Sequence, residues 1–267
     1  MKKIHSVMRY YESYGAISLF NKILGRLFKS AWNNQFSSIS RKIRNHIRDQ
    51  NYLDVRYIAL AEGVSYVFGY AVKGHIAEFG TMTGRSAVAL ATAVSLHEHK
   101  YIGDSRSGKK LFLFDSFEGL PEARFEVDKA SHHVANGFWK KGTCKGLSEV
   151  GLSDLISKYL DRKKYFVIKG WFKDTVPKIP DGTLFSMIHI DGDLYESTID
   201  VLDNLFERKM VANGAMIFFD DFDCNAADPL LGERLAWSEL TAKYSINFSD
   251  MGAYSDACHR FIIHSYS

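Results

Sequence analysis

Short apolar runs alternate with stretches of helical periodicity from residue 75 to the end of the chain. The apolar runs predict seven strands, at His75–Phe79, Lys110–Phe114, Lys164–Ile168, Phe185–Ile190, Ala215–Phe219, Ser245–Ser249 and Arg260–His264. Helical periodicity between them predicts helices at 84–98, 148–160, 195–210 and 229–243. This alternation is typical of a mostly parallel sheet with helices on both faces, and the last two strands lie close enough to pair as a hairpin. We therefore predict a doubly wound α/β fold with an antiparallel edge.

The first 50 residues differ from the rest of the chain in pattern and in charge. Apolar residues recur at helical spacing over 15–32, and ten Lys and Arg stand against two Asp and Glu, a balance of +8. The pattern predicts an amphipathic helix that packs on the body, on a second subunit or on a membrane surface. A further helix over 52–72 is expected to begin the body. The predicted domains are therefore a basic helical extension at 1–50 and an α/β domain at 51–267.

Composition and cysteine usage narrow the class of protein. The whole chain carries +3, so residues 51–267 carry −5, and no basic stripe for nucleic acid runs through the body. Cys144, Cys224 and Cys258 are scattered and lack CxxC spacing, which favours a reducing cytoplasm over a disulfide framework or a zinc site. No apolar run approaches the roughly 18 residues of a membrane span. We expect a cytoplasmic protein that binds no nucleic acid, with peripheral membrane contact left open by the N-terminal helix.

Two of the predicted strands end abruptly in carboxylates. The run that ends at Ile190 is followed by Asp191, and 29 positions later the run that ends at Phe219 is followed by Asp220 and Asp221. In open α/β sheets the ligand crevice lies at the carboxyl ends of the strands, where these three aspartates would meet. Three close carboxylates repel one another unless a cation lies between them, and oxygen ligands suit a hard divalent ion. The sequence therefore predicts a metal site at this edge.

Three other strand ends carry candidate ligand-binding motifs. Gly80 and Gly84 stand between the first strand and its helix, where glycine permits a sharp turn and close approach of a ligand to the backbone, although the spacing is not G-x-G-x-x-G. Asp115 ends the second strand, a position that accepts ribose hydroxyls in Rossmann-like folds or serves as a turn residue. Trp171 and Phe172 follow the third strand and could flank an adenine ring or belong to the core.

The longest irregular stretch, 120–147, is predicted to be a lid or binding loop because compact domains seldom contain structureless loops of that length. Its paired histidines, His132 and His133, either contact a substrate or assist proton transfer, or they face solvent. His189 lies inside a buried strand and is expected to be a satisfied core histidine. Asp193 could orient the metal ligands or cap the helix at 195–210, and the cap is the favoured role.

Five motifs in this order resemble the macrocin O-methyltransferase family, which includes enzymes that methylate sugar hydroxyls on macrolide and aminocoumarin antibiotics. They read Glu-Phe-Gly-x-x-x-Gly-x-Ser, Leu-Phe-Leu-Phe-Asp-Ser-Phe-Glu-Gly-Leu-Pro, Lys-Gly-Trp-Phe-x-Asp-Thr, Ile-Asp-Gly-Asp-Leu-Tyr-Glu-Ser-Thr and Phe-Asp-Asp. The resemblance covers roughly residues 50–264. It implies the Rossmann-like, seven-stranded fold of class I S-adenosylmethionine-dependent methyltransferases.

The resemblance also implies a role for individual positions. S-adenosylmethionine would be bound at its methionine end by Glu78, Gly80, Thr81, Gly84 and Ser86, at its ribose by Asp115 with Ser116 and Phe117 beside the adenosine, and at its adenine by Gly170, Trp171 and Phe172. Asp191, Asp220 and Asp221 would hold Mg²⁺ or another divalent cation, with Asp191 also the base. Leu194 stands where related catechol-type methyltransferases have a lysine, so a lysine base is not available there, and proton removal is expected to fall to Asp191 or to a metal-bound hydroxide.

The expected function is S-adenosylmethionine- and Mg²⁺-dependent O-methylation of a sugar hydroxyl, by a protein that forms homo-oligomers. The acceptor is left open among a glycosylated natural product, a nucleotide sugar and a surface polysaccharide. One alternative takes Asp191 and Asp193 as the D-x-D pair of a metal-dependent glycosyltransferase, which leaves the motifs at 78–86 and Asp115 unexplained. The other is a non-catalytic subunit of the same fold, against which the costly carboxylate cluster counts.

Overall fold

The computed structural model describes residues 55–267, so the predicted helix at 15–32 and the rest of the 1–50 extension lie outside the described residues. The helices are α1 (Val55–Gly69), α2 (Arg85–Lys100), α3 (Glu126–Lys129), α4 (His132–Ala135), α5 (Glu149–Ile156), α6 (Phe172–Thr175), α7 (Tyr195–Glu207) and α8 (Gly232–Lys243). The strands are β1 (His75–Phe79), β2 (Leu111–Asp115), β3 (Tyr165–Lys169), β4 (Phe185–Ile190), β5 (Val211–Phe219), β6 (Asn247–Ala253) and β7 (His259–Ser265). Within these residues no helix is long and apolar enough to cross a membrane.

The seven strands form one sheet in the order β3-β2-β1-β4-β5-β7-β6. Strands β1 to β5 are parallel, and β7 runs antiparallel to both β5 and β6. The predicted doubly wound sheet with a terminal hairpin is therefore confirmed. The antiparallel strand lies inside the sheet, however, and β6 forms the edge. The physical reason is burial: Phe261 and Ile263 of β7 are buried, whereas none of the residues of β6 is fully buried.

Helices cover both faces of the sheet, as two adjacent residues of β5 show. The ring of Phe218 lies against Gly63 of α1, where even a Cβ atom would come within 2.7 Å of it. The next ring, Phe219, packs edge-on against Trp237 of α8, with 5.5 Å between centroids. Successive side chains of a strand point to opposite faces, so α1 and α8 cover opposite sides of the sheet. All six residues of β4 are buried between these layers.

The element boundaries differ from prediction where the backbone departs from regular periodicity. Strand β5 begins at Val211 rather than at residue 215. The prediction was too short because exposed Asn213 and half-buried Gly214, which has φ +83°, interrupt the apolar run. The predicted lid, 120–147, contains the one-turn helices α3 and α4 rather than only irregular chain. Its two ends are joined by backbone hydrogen bonds, from the N–H of Leu120 to Thr143 O and from that of Gly142 to Leu120 O.

Candidate active site

A cavity of about 300 Å³ opens at the carboxyl ends of β1 to β4. Eight of the residues predicted to bind cofactor or metal line it: Gly80, Thr81, Asp115, Ser116, Gly170, Trp171, Phe172 and Asp191. The loops that follow four strands thus converge on one space, as the rule for open α/β sheets requires. The lid residues Leu120, Pro121, Glu122 and Arg124 contribute another wall that the motifs did not predict.

Four predicted cofactor residues do not line this cavity. Gly84 has φ +75°, and a Cβ atom there would touch leucine side chains of α5 at 3.0 Å, so this glycine serves helix packing. Ser86 is buried in α2. Phe117 is buried in the core at φ +58°. Glu78 is fully buried and its carboxylate accepts a hydrogen bond from His189. These residues support the walls of the cavity from behind.

Gly80 allows the loop after β1 to touch the loop after β4. It adopts φ +98°, and a Cβ atom at this position would lie 1.8 Å from the carbonyl oxygen of Asp191. The backbone N–H of Asp191 in turn donates to Phe79 O at 2.9 Å. Only glycine permits this approach, because an L side chain is both strained at positive φ and blocked by the carbonyl. The position of Asp191 therefore depends on Gly80.

Asp115 organises the loop that would receive the cofactor. Its Oδ2 accepts hydrogen bonds from the Thr81 N–H at 2.8 Å, the Thr81 hydroxyl at 2.9 Å and the Met82 N–H at 3.1 Å. Its Oδ1 accepts from the Phe117 N–H at 2.7 Å. Oδ1 thus accepts one hydrogen bond where Oδ2 accepts three, so Oδ1 retains capacity for a ribose hydroxyl. The predicted ribose contact is thus compatible with a role in fixing the turn after β1.

Asp191, Asp220 and Asp221 form the predicted carboxylate cluster. Each offers an oxygen, and these oxygens lie within 4.8 Å of one another. Burial raises the pKa of Asp191 well above its usual value, and Asp220 adds to the rise. Burial also raises the pKa of Asp221 to about 6. Half-buried oxygen ligands that are destabilised by mutual repulsion fit a hard divalent cation. Only Asp191 of the three also lines the cavity.

His189 lies between Glu78 and Asp220 beneath this cluster. Its Nδ1 is 3.0 Å from Glu78 Oε1, and its Nε2 is 3.8 Å from Asp220 Oδ1. Burial alone would lower the pKa of the imidazole, but the two flanking carboxylates raise it to about 10. His189 is therefore an imidazolium that offsets buried negative charge. The sequence carries a signal for this pair, since Glu78 and His189 stand opposite each other in the register of β1 and β4.

Other groups around the carboxylate cluster were missed by sequence reasoning. Glu233 of α8 is 1% exposed and accepts the N–H of Asp221 at 3.0 Å. The thiol of Cys224 donates to Asp221 Oδ1 at 2.9 Å, and that of Cys258 donates to Asp220 O at 3.1 Å. Glu233 and Cys258 reach the cluster through tertiary packing, which no local motif indicates, whereas Cys224 lies in the same turn, three positions after Asp221. They fix the orientation of the loop after β5.

The predicted helix cap at Asp193 is wrong. Helix α7 begins after Leu194, which makes no side-chain cap hydrogen bond. Asp193 has φ +62° and lines the cavity instead, where burial and Asp221 raise its pKa well above the usual value. The first N–H groups of α7 are capped from the lid by Asp128. The sequence suggested the nearest carboxylate, whereas the fold supplies one from about 67 residues upstream.

The lid histidines do not line the cavity. His132 is exposed to solvent. The ring of His133 stacks on Trp139 with 4.3 Å between centroids, and Trp139 is buried with Leu120 and Leu194. His132 thus faces solvent, which is one of the predicted alternatives, whereas His133 packs inside the lid, which was not predicted.

The sheet order, the strand-end cavity and the carboxylates at its border define a doubly wound α/β fold with a ligand crevice. The chain belongs to the macrocin-O-methyltransferase (TylF) family, whose model matches residues 54–237. The predicted family and fold are thereby confirmed.

The chain is similar to two curated Streptomyces enzymes. It is 32% identical over 168 residues to the 8-demethyl-8-(2,3-dimethoxy-alpha-L-rhamnosyl)-tetracenomycin-C 4'-O-methyltransferase of Streptomyces olivaceus, a match that covers 61% of this chain and 58% of that enzyme. It is 29% identical over 161 residues to the demethyldecarbamoylnovobiocin O-methyltransferase of Streptomyces niveus, covering 60% and 56%. The chain thus spans a little more than half the length of the curated relatives it matches.

Two solved structures share the fold. The O-methyltransferase NovP superposes with a TM-score of 0.64 and 24% identity, over 79% of this chain and 80% of that one. The calicheamicin methyltransferase CalS11 superposes with a TM-score of 0.58 and 20% identity, over 93% and 92%.

Proposed function

We propose that this protein is an S-adenosylmethionine-dependent O-methyltransferase that acts on a sugar hydroxyl with the help of a divalent cation. The observation that carries the proposal is the shared cavity, in which the Gly80–Thr81 turn, Asp115 and Asp191 meet. A methyl donor held by the turn and a hydroxyl held at Asp191 would then lie in one space, as a direct methyl transfer requires. The names of both curated relatives, a rhamnosyl-tetracenomycin methyltransferase and a novobiocin-pathway methyltransferase, support this class.

The cofactor would occupy the part of the cavity formed by the ends of β1, β2 and β3. Asp115 would accept a ribose hydroxyl at Oδ1, and the turn at Gly80 and Thr81 would receive the methionine end. Gly170, Trp171 and Phe172 line the cavity after β3, where the adenine would lie. The apolar faces of the two aromatic side chains suit a flat heterocycle.

Asp191, Asp220 and Asp221 would hold the divalent cation. When bound, the cation supplies positive charge that lowers the pKa of the acceptor hydroxyl and fixes its orientation. Asp191 is the carboxylate of the three that borders the cavity, so it is the one that can take the hydroxyl proton. S-adenosylmethionine, held at the Gly80–Thr81 turn and Asp115, would supply the methyl group to this oxygen, with S-adenosylhomocysteine as the second product. Leu194 is buried and offers no competing base.

The glycosyltransferase alternative requires Asp191 and Asp193 to act as a metal-binding pair. Among residues 55–267, the group of three acidic side chains that could hold a metal ion is Asp191, Asp220 and Asp221, and Asp193 is not a member of it. Family membership also counts against that alternative. The non-catalytic alternative is tested by ligand binding and by turnover. A cytoplasmic location, homo-oligomerisation and the choice of sugar acceptor stay predictions.

Asp115→Ala is expected to weaken S-adenosylhomocysteine binding by about tenfold or more, because hydrogen bonds to a charged group contribute roughly 1.5–3 kcal/mol. The change removes the ribose acceptor and the partner of Thr81 in the turn. Isothermal titration calorimetry with and without Mg²⁺ measures the effect. Asp154→Ala, at an exposed site on α5, is the control and should bind like wild type. A wild-type chain that binds no S-adenosylhomocysteine under any condition would refute the methyltransferase proposal.

Mg²⁺ affinity is expected to rise as the pH rises from 5 to 8. Burial raises the pKa of Asp221 to about 6, so below that pH a proton competes with the cation for this ligand. The raised pKa means that protonation of Asp221 stabilises the metal-free fold at low pH, and this contribution is lost as the pH passes the folded pKa. Mg²⁺ should therefore increase the melting temperature most above pH 6. A Mg²⁺ effect that is equal at pH 5 and pH 8 would contradict the prediction.

A further inference from the structure

The lid caps helix α7 in place of any residue that precedes the helix. Asp128, in α3 of the lid, is 1% exposed. Its Oδ1 accepts the N–H of Tyr195 at 2.8 Å and its Oδ2 accepts the N–H of Glu196 at 3.2 Å. These are two of the N–H groups that a helix leaves unsatisfied at its N-terminus. A carboxylate at this end also interacts favourably with the helix dipole. The lid therefore supplies a cap that the local sequence of α7 lacks.

A second buried hydrogen bond joins the same part of the lid to the loop after β5. The hydroxyl of Ser131 donates to Asn225 Oδ1 at 2.8 Å, and both residues are buried. A third contact is the ion pair between Arg124 and Glu196, both of which line the cavity. The lid thus holds the first turn of α7 on one side and the loop at Asn225 on the other.

The residues that the lid contacts lie close in sequence to carboxylates of the cluster. Tyr195 lies four positions after Asp191, and Asn225 lies four positions after Asp221. The two loops belong to different strands, β4 and β5, and the lid spans them. Because the lid is hydrogen-bonded to both loops, it restricts how far Asp191 and Asp221 can move apart.

The burial of Asp128 indicates that its contact with the N-terminus of α7 is a structural feature of the fold. A buried carboxylate is costly unless it is hydrogen-bonded, and burial raises the pKa of Asp128 to about 6. Two positions earlier on the same short helix, the side chain of Glu126 is 89% exposed and accepts a hydrogen bond from nearby Lys129. Of the two acidic residues of α3, Glu126 therefore lies at the surface and Asp128 binds the N-terminus of α7.

We propose that Asp128 is a positioning residue of the cation site: by capping α7 from the lid, it holds the Asp191 loop at the separation from the Asp221 loop that a divalent cation requires. The proposal rests on the proposed function, because it assigns the carboxylate cluster to a cation. Asp128 itself touches neither the cluster nor the cavity, and it acts through the backbone of α7.

Mn²⁺ binding, measured by electron paramagnetic resonance, and hydrogen exchange of the ligand-free protein test this role. Asp128→Ala is expected to weaken Mn²⁺ binding at least about fivefold, the change that loss of one helix cap produces, and to speed amide exchange at Tyr195 and Glu196 by a similar factor. Asp128→Asn keeps one acceptor oxygen and should recover part of both effects. S-adenosylhomocysteine affinity should stay unchanged, since the cofactor residues lie after other strands. Glu126→Ala, on the same helix, should match wild type.

Wild-type Mn²⁺ affinity or wild-type exchange in Asp128→Ala would overturn the proposal, as would an Asp128→Asn variant no closer to wild type than Asp128→Ala. If Asp128→Ala does not fold, Asp128→Asn decides, with an expected loss of Mn²⁺ affinity and faster exchange at Tyr195. Failure of the proposed function is visible separately, because the unmodified chain would then bind neither Mn²⁺ nor S-adenosylhomocysteine.

Discussion

Asp191→Asn is expected to lower kcat for methyl transfer about a thousandfold, within the range of roughly 10²–10⁴ that a general base contributes. Asp191 is the one carboxylate of the half-buried cluster that also belongs to the cavity wall. The asparagine keeps the size of the side chain and the backbone hydrogen bond to Phe79, so the fold and the cofactor turn should stay intact. Turnover of S-adenosylmethionine and S-adenosylhomocysteine affinity, measured on the same preparation, separate the chemical step from cofactor binding.

The control for this substitution is Asp181→Asn, whose side chain is 94% exposed in the turn before β4. It makes the same chemical change on the surface and should leave turnover at the wild-type level. Loss of turnover in Asp191→Asn with retained S-adenosylhomocysteine binding would assign Asp191 to the reaction itself. Wild-type turnover would refute both its role as base and its role as cation ligand. Equal loss of turnover and cofactor affinity would point to a collapsed turn at Gly80.

The parts of the fold that could be predicted are those encoded by local pattern. Strand β4 is buried on both faces and therefore reads as an uninterrupted apolar run, and its predicted bounds match the structure. Strand β5 was predicted four residues too short because Asn213 and Gly214 break the run, although tertiary pairing with β4 continues it to Val211. The place of β7 inside the sheet depends on which strand of the hairpin offers more apolar surface to β5. That comparison requires the assembled sheet.

The residues of the candidate site also fall into two groups, those that a local pattern predicts and those that only the assembled fold reveals. Asp191, Asp220 and Asp221 were predictable because each directly follows a strand, and the ends of parallel strands meet. Asp128 and Glu233 were not, since each reaches its partner from another part of the chain with no periodicity to mark it. Asp193 shows why the nearest candidate can mislead. A left-handed backbone turns it into the cavity, and a local motif does not reveal the sign of φ.

Gly80→Ala is expected to lower the free energy of unfolding by at least about 3 kcal/mol, which combines left-handed backbone strain of roughly 1–2 kcal/mol with the overpacking penalty. The added Cβ atom would lie 1.8 Å from the carbonyl oxygen of Asp191, so the loops after β1 and β4 must separate. That separation displaces the turn that Asp115 holds and the carboxylate that borders the cavity. S-adenosylhomocysteine binding should therefore fall together with stability, a coupling that chemical denaturation and calorimetry on the same variant can measure.

Gly182→Ala isolates the contribution of the contact. Gly182 has φ +80°, close to that of Gly80, but a Cβ atom there meets nothing within 4 Å. This substitution should lower the free energy of unfolding only through backbone strain, by about 1 kcal/mol, and should leave cofactor binding at the wild-type level. The difference between the two variants then measures how tightly the cofactor turn is packed against the Asp191 loop. Equal losses of stability in the two variants would mean that the loops can part at little cost, and Gly80 would then matter only for the turn after β1.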